Sequence, residues 1–344
     1  MTVKEIAKMC DVSASTVSNI LNGRTNVSEQ TRQRVLSVIE ETGYQPNYFA
    51  SSMRKQNTRM IGIIAEDLCQ FSTNTIVGAV MAYCEEQGYR TILMNLRLYD
   101  RWQDTWYNDE SKLESTLLPV LKEVQSIKAD GIIYVAGHCR TIKTFPRDFS
   151  LPTTIAYATA KQNRFPSVII NDEKGGYDMV KYIISMGHRK IGVIAGVADN
   201  MHTKSRMSGC QRALFEAGIP YNPEWTVYGD WQRNSGYECA EKLVDMGVTA
   251  IWCMNDLMAG GVYDYAYEHN IVIGKDISVA GYDNMQISQF MYPKLTTNDL
   301  PLEEIGRSAA ETLLGMLDGE TKCSRNPVYI PCKMKIRDSV GRML

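Results

Sequence analysis

From Met60 onward, short apolar runs rich in Val and Ile alternate with helix-length segments, and this constrains the fold of the chain more than any other feature. Ile61 to Ala65, Thr91 to Leu96, Gly131 to Val135, Thr153 to Tyr157, Val168 to Ile170, Ile191 to Ala195, Thr226 to Tyr228, Ala250 to Cys253 and Ser278 to Tyr282 read as strands. Alternation of this kind predicts parallel α/β sheet with helices on its faces. Several runs are apolar throughout, as strands buried on both faces must be. The 285 residues after Arg59 (344 less 59) are many for one open sheet. Two α/β lobes with a cleft between them are expected.

Residues 2 to 43 follow a different pattern, that of three short helices. Thr2-Val-Lys-Glu5 has the form of a capping box, with Val3, Ile6, Ala7 and Cys10 at helical spacing behind it. Ser13 is an N-cap for a second helix in which Val17, Ile20 and Leu21 point inward, and Asn22-Gly23 stops it. A third helix opens at Ser28, buries Val35, Leu36 and Ile39, and ends at Gly43. The second helix exposes Ala14, Ser15, Ser18 and Asn19. Small and amide side chains on such a face can approach base edges, so the pair of helices fits a helix-turn-helix.

Charge divides at the same place. Up to Arg59 the chain has eight Lys/Arg against five Asp/Glu (+3), and the remainder has 29 against 34 (−5), which the net charge of −2 conceals. The nine cysteines form no C-x-x-C pair, so neither a disulfide framework nor a zinc site is suggested, and reduced core thiols in a cytoplasmic protein are expected. Met1-Thr-Val-Lys-Glu5 is charged at once, unlike a secretory leader, and no run approaches the roughly 18 apolar residues of a membrane span. There is no P-loop, nucleophile elbow or H-E-x-x-H, so no enzyme and no cofactor is expected.

The run Val3-Lys-Glu-Ile-Ala-Lys, Val12-Ser-Ala-Ser-Thr-Val-Ser-Asn-Ile-Leu-Asn-Gly, Val27-Ser, Thr31-Arg, Val35 and Gly43-Tyr-Gln-Pro-Asn resembles the headpiece of the lac/galactose repressor family. Downstream, Asp130-Gly-Ile-Ile, Ser185-Met-Gly-His-Arg-Lys-Ile-Gly, Asn255-Asp-Leu-Met-Ala-Gly-Gly, Asp276-Ile-Ser-Val-Ala-Gly-Tyr-Asp and Leu295-Thr-Thr extend the resemblance over essentially the whole chain. It implies an all-α helix-turn-helix headpiece (1–45), a hinge helix and linker (46–59), and a two-lobed α/β core like that of periplasmic binding proteins. The first lobe would comprise 60–166 with 297–320, and the second 167–296 with 321–340.

The resemblance also implies roles. Ala14, Ser15 and Asn19 take the base-reading positions, while Thr16, Ser18 and Asn22 take phosphate contacts. Met53 stands where the family has a leucine wedge in the minor groove, with Arg54, Lys55 and Arg59 as phosphate contacts. Asp256, Arg206 and Trp231 match effector-binding positions, Asp67 and Phe71 lie in the loop after the first strand where the family places effector contacts, and Asp172 or Asn171 and Asp283 fall at rim positions. A carboxylate, a planar fork and an indole together suit a polyhydroxylated ring. The partners implied are operator DNA, a mono- or disaccharide inducer and a second copy of the chain in a homodimer, with no membrane. No heptad tail for tetramer formation is seen before Leu344.

Leu96 to Glu114 reads as a long aromatic loop whose Trp102, Trp106 and Tyr107 either wall the cleft or pad a dimer interface. His138 and His202, without partner spacing, read as ordinary polar residues.

Overall fold

The computed structural model describes residues 1–21, 27–44, 58–103, 109–319 and 326–343, and it divides into two compact units, Met1–Thr58 and Arg59–Leu344. In the first unit, α1 (Val3–Met9) opens on the expected capping box: Thr2 Oγ1 accepts the Glu5 N–H, and Glu5 Oε2 accepts the Thr2 N–H at 2.7 Å. The helix α2 (Ala14–Leu21) follows Ser13, and α3 (Glu29–Thr42) runs from the N-cap Ser28 to a left-handed Gly43. Ile6, Ala7, Cys10, Val17, Ile20 and Val35 form a small closed core. Leu36, expected inside, is 44% exposed. The inward stripe of α3 is Val35, Val38 and Ile39, and Leu36 lies one residue, about 100°, off it.

The second unit holds two parallel sheets. The first has six strands in the order β13-β7-β5-β3-β1-β2: β1 (Met60–Ala65), β2 (Arg90–Asn95), β3 (Gly131–Val135), β5 (Thr153–Ala156), β7 (Ser167–Ile170) and β13 (Val328–Ile330). The second has the order β11-β10-β8-β9: β8 (Ile191–Ala195), β9 (Thr226–Tyr228), β10 (Ala250–Cys253) and β11 (Ser278–Ala280). Strands β1, β3, β8 and β10 are buried along their whole length, which explains their unbroken apolar sequence. In chain order, α4 (Phe71–Glu86), α5 (Leu98–Trp102), α6 (Glu110–Ser126), α7 (Asp172–Ser185), α8 (Met201–Glu216), α9 (Arg233–Asp245), α10 (Asp256–Glu268) and α11 (Leu302–Leu317) connect the strands. Two short parallel strands, β4 (Thr141–Ile142) and β6 (Thr159–Ala160), extend beyond the first sheet.

The lobes interleave differently from expectation. Val168 pairs with Ala156 and Val328, and this places Ser167–Ile170 and Val328–Ile330 in the first sheet, not in the second lobe. The chain crosses at Asn171, returns to the first lobe with α11, and crosses again after β13. There β14 (Lys333–Lys335) pairs antiparallel with β12 (Thr297–Asp299), and Ser339 bonds Val279 of the second sheet. An apolar three-residue run carries no mark of which sheet it joins.

The described part of 96–114 is more than a loop. It contains α5 and the N-cap Asp109 of α6, whose Oδ1 accepts the Ser111 N–H at 3.1 Å. The eight described cysteines are free thiols, six of them buried. Among the described residues no helix is long and apolar enough to cross a membrane.

Candidate functional site

On the first unit, the start of α2 gathers three hydroxyls. Ser13 Oγ accepts the Thr16 N–H at 3.0 Å and lies 2.6 Å from Ser15 Oγ and 2.8 Å from Thr16 Oγ1. Ser15 is exposed, and Ala14, Thr16, Ser18 and Asn19 are half-buried, while Val17 and Ile20 anchor the opposite face. Short polar side chains at a helix N-terminus suit phosphate and base-edge contacts. Asn22, Met53, Arg54 and Lys55 lie outside the described residues.

In the second unit, residues following the strands of both sheets surround a cavity of about 410 Å3. The first lobe contributes Gln70, Phe71, Tyr99, His138 and Tyr157; the second contributes Asn200, His202, Arg206, Trp231, Asn255 and Asp283. Ligands of open α/β sheets sit at this end of the strands because connecting loops and helix N-termini converge there.

Arg206 organises the second wall. Its Nε donates to Asp172 Oδ1 at 2.7 Å, Nη1 donates to the Met254 carbonyl, and its Cζ stands 3.7 Å from the Tyr282 ring centroid. These bonds use two of its five donors, and Nη2 lies 3.8 Å from Oδ1 of Asp283, which also lines the cavity. Burial works against the Arg206 charge, but Asp172, Tyr282 and Asp283 outweigh it and hold the guanidinium protonated. Burial would likewise raise Asp172, yet Arg206 and His202 keep its carboxyl below the usual range.

His202 Nε2 accepts the Cys139 N–H at 3.1 Å, so the proton sits on Nδ1 and is donated to Asp172 Oδ2 at 2.6 Å. His138 is pushed down to about 3, mainly by burial and then by His202 and Arg140. Burial pushes Asp283 well above the carboxylate range, with Arg206 opposing it.

Two constraints hold the indole. Trp231 adopts φ 72°, uncommon for a bulky residue, and Asn255 Nδ2 donates to its carbonyl at 2.9 Å while Asn255 Oδ1 caps α10. The ring lies against Gly196, where any Cβ would overlap it.

On the first-lobe side, the buried Glu66 fixes the strand end. Arg140 Nη1 and Nη2 donate to its two carboxylate oxygens at 2.8 and 2.5 Å, Tyr134 Oη donates at 2.6 Å, and the Gly137 N–H donates at 2.7 Å. A buried pair with its remaining lone pairs satisfied makes a firm platform for Gly137 and His138.

Comparison with known proteins agrees with both parts. The profile for bacterial regulatory proteins of the lacI family matches residues 2–47, and that for the periplasmic binding protein-like domain matches residues 180–340. HTH-type transcriptional repressor PurR of Pasteurella multocida is 31% identical over 347 aligned residues, covering 100% of this chain and 99% of that protein. The chain belongs to the lacI family of bacterial regulatory proteins.

PurR of Aliivibrio salmonicida is also 31% identical, over 91% of each chain. In fold, this lacI-family chain is similar to the lac repressor dimer bound to operator and the anti-inducer ONPF (TM-score 0.81, 22% identity, 98% of each chain). It is also similar to the transcriptional regulator CelR in complex with cellobiose (TM-score 0.63, 24% identity, 98% of this chain and 99% of that one). The chain is thus a DNA-binding transcriptional repressor by family, and its relatives are repressors, not enzymes.

Of the effector residues expected in this lacI-family chain, Phe71, Arg206, Trp231 and Asp283 line the cavity. Asp172 stands behind it, holding Arg206 and His202. Asn171 is the N-cap of α7, accepting the Lys174 N–H. Asp256 is fully buried beneath the wall, accepting the Thr297 hydroxyl at 2.6 Å and the Met285 N–H at 2.7 Å; Asn255, one residue earlier, takes the cavity position. Asp67 is outside the lining too, and its carboxylate holds the N–H groups of Cys69, Tyr99 and Asp100.

Trp102 packs on the Leu96–Leu98–Leu113 cluster instead of walling the cleft, and Tyr99 of α5 reaches the cavity. Trp106 and Tyr107 lie outside the described residues. His138 and His202, read as ordinary, both line the cavity. Their signal was place, after β3 and at the start of α8, since neither has a partner close in sequence.

Proposed function

We propose that the chain acts in the cytoplasm as a homodimeric repressor on a pseudo-palindromic operator, released by a mono- or disaccharide inducer bound in the cavity between the lobes. Ala14, Ser15 and Asn19 read bases; Thr16, Ser18 and Asn22 hold phosphates; Met53 and Arg54 act in the minor groove. The observation that carries the effector reading is the pairing of Arg206 with Trp231. A fork with donors to spare lies 5.8 Å from the centroid of an indole that also lines the cavity, and Asp283, Asn255 and Gln70 add polar groups around them. An indole packs on the CH face of a pyranose while the fork bridges adjacent hydroxyls. Release from DNA then requires that the inducer bind the DNA-free dimer more tightly, by the factor through which it weakens DNA binding.

The relatives' name, PurR, carries a second reading, a purine base. A flat heterocycle would stack on the same Trp231 and present ring nitrogens and carbonyls to Arg206 and Asp283. A calorimetric screen of monosaccharides, disaccharides and purine bases decides between them. Sugar binding that weakens about tenfold or more in Arg206→Lys, which keeps the charge and loses the fork, is the expected result. Binding of a purine base without any sugar overturns the sugar reading, and ligand binding untouched by both Arg206→Lys and Trp231→Leu overturns the site.

A further inference from the structure

The first lobe carries another groove, of about 450 Å3, lined by Lys143, Arg147, Lys161 and Arg164 over Phe145 and Phe165. No carboxylate is among its lining residues, in a part of the chain that carries 34 acidic residues against 29 basic ones. Asp148, next to Arg147, is not in the lining, and Glu110 is engaged by the Thr144 hydroxyl at 2.6 Å. Lys143, Arg147 and Lys161 are exposed and form no ion pair among the described residues.

The groove is rigidly built. Arg164 donates to the carbonyls of Phe145, Pro146, Arg147 and Phe149 at 2.5 to 3.3 Å, and its guanidinium stands 4.9 Å from the Phe165 ring centroid. Its charge is answered by carbonyl dipoles and a ring face, so the local field stays positive. Gln162 and Asn163 are consecutive non-glycine residues in the left-handed region (φ 57° and 48°), a costly geometry that persists only where the surroundings fix it. Aromatic rings 4.9 Å apart, Phe145 and Phe165, form the floor.

We propose that this groove binds a small soluble anion of the phosphate-ester or diphosphate class. Three cations with no ion pair among the described residues surround a concave mouth and supply charge-assisted donors, and the volume is that of a small-molecule site. The groove also shares two chain segments with the cavity described above. His138 leads through β4 to Lys143, and Tyr157 leads through β6 to Lys161, with the Thr141 and Thr159 hydroxyls 3.3 Å apart between the strands. The assignment is independent of which effector the cavity takes.

The test titrates the full chain calorimetrically with inorganic pyrophosphate at constant ionic strength. The variants are Lys143→Gln/Lys161→Gln and a charge-matched control, Lys122→Gln/Lys275→Gln. Saturable binding by the wild type and the control, weakened about tenfold or more in the groove variant, is the expected result. Equal affinity in all three proteins, or no saturable binding by the wild type, overturns the site. Binding of a phosphoserine peptide without binding of pyrophosphate overturns it in favour of a protein partner.

Discussion

Burial pushes the Asp256 carboxyl up to about 7, although the Thr297 hydroxyl and the Met285 N–H both favour its charged form. The unfolded chain releases this proton near 3.8. Between those values the native state holds a proton that the unfolded state does not, so stability falls as pH rises. The contribution is complete below about 3.8 and gone above about 7, and it amounts to a few kcal/mol, on the order set by ~1.4 kcal/mol per pH unit. Asp283 has the same sign. Asp172, held low by Arg206 and His202, loses its contribution only as pH falls below the ordinary carboxylate range.

Asp256→Asn keeps an acceptor for the Met285 N–H and can donate to Thr297 Oγ1. Its Tm profile between about pH 5 and pH 8 is expected to be flatter than that of the wild type. Parallel profiles would mean that Asp256 is charged throughout. The same residue marks where sequence reading stops. Asn255 and Asp256 both follow β10, but one caps the helix at the cavity and the other turns beneath the wall. Residue type and spacing do not separate them, because both are short, polar and preferred at helix starts.

Among the elements, the packing of α9 on α10 turns on one glycine of an adjacent pair. A Cβ at Gly261 would collide with the Arg233 carbonyl and the Tyr237 amide, backbone atoms that cannot swing aside. A Cβ at Gly260 would meet the tips of Met291 and Arg233 at 3.3 and 3.6 Å, which can. Gly261→Ala is therefore expected to destabilise the protein by about 1–3 kcal/mol in urea unfolding. Gly260→Ala is expected to be neutral or stabilising by up to about 1 kcal/mol, through helix propensity. Equal effects would contradict this packing.

The Gly260-Gly261 pair gave no sign in the sequence of which member is pressed against a neighbour. Nine of the ten strands of the two main sheets were legible to within two residues, most of them because burial leaves them continuously apolar, whereas β13, partly exposed at the edge of the first sheet, was not. The β12–β14 pair was not legible. Asp299, Lys333 and Lys335 are polar, and three residues are too few for a period to show.

For the molecule as a whole, the headpiece was readable because its motif is local, whereas the interleaving of the lobes was not. Assigning β7 and β13 to the first sheet needs pairings between Ile169 and Tyr329, 160 residues apart (329 less 169), which no local pattern encodes. That topology still makes a physical claim. The core of Ile6, Val17, Ile20 and Val35 is closed within the first unit, and both sheets with their helices lie within the second. Units with separate cores unfold separately unless a large interface couples them. A fragment of residues 58–344 is expected to melt within about 3 °C of the main transition of the full chain, to keep its ligand binding, and to lose DNA binding. A fall of about 10 °C or more in differential scanning calorimetry would show that the headpiece contributes to the stability of the second unit, and an effector bound there would then be coupled to DNA through folding energy.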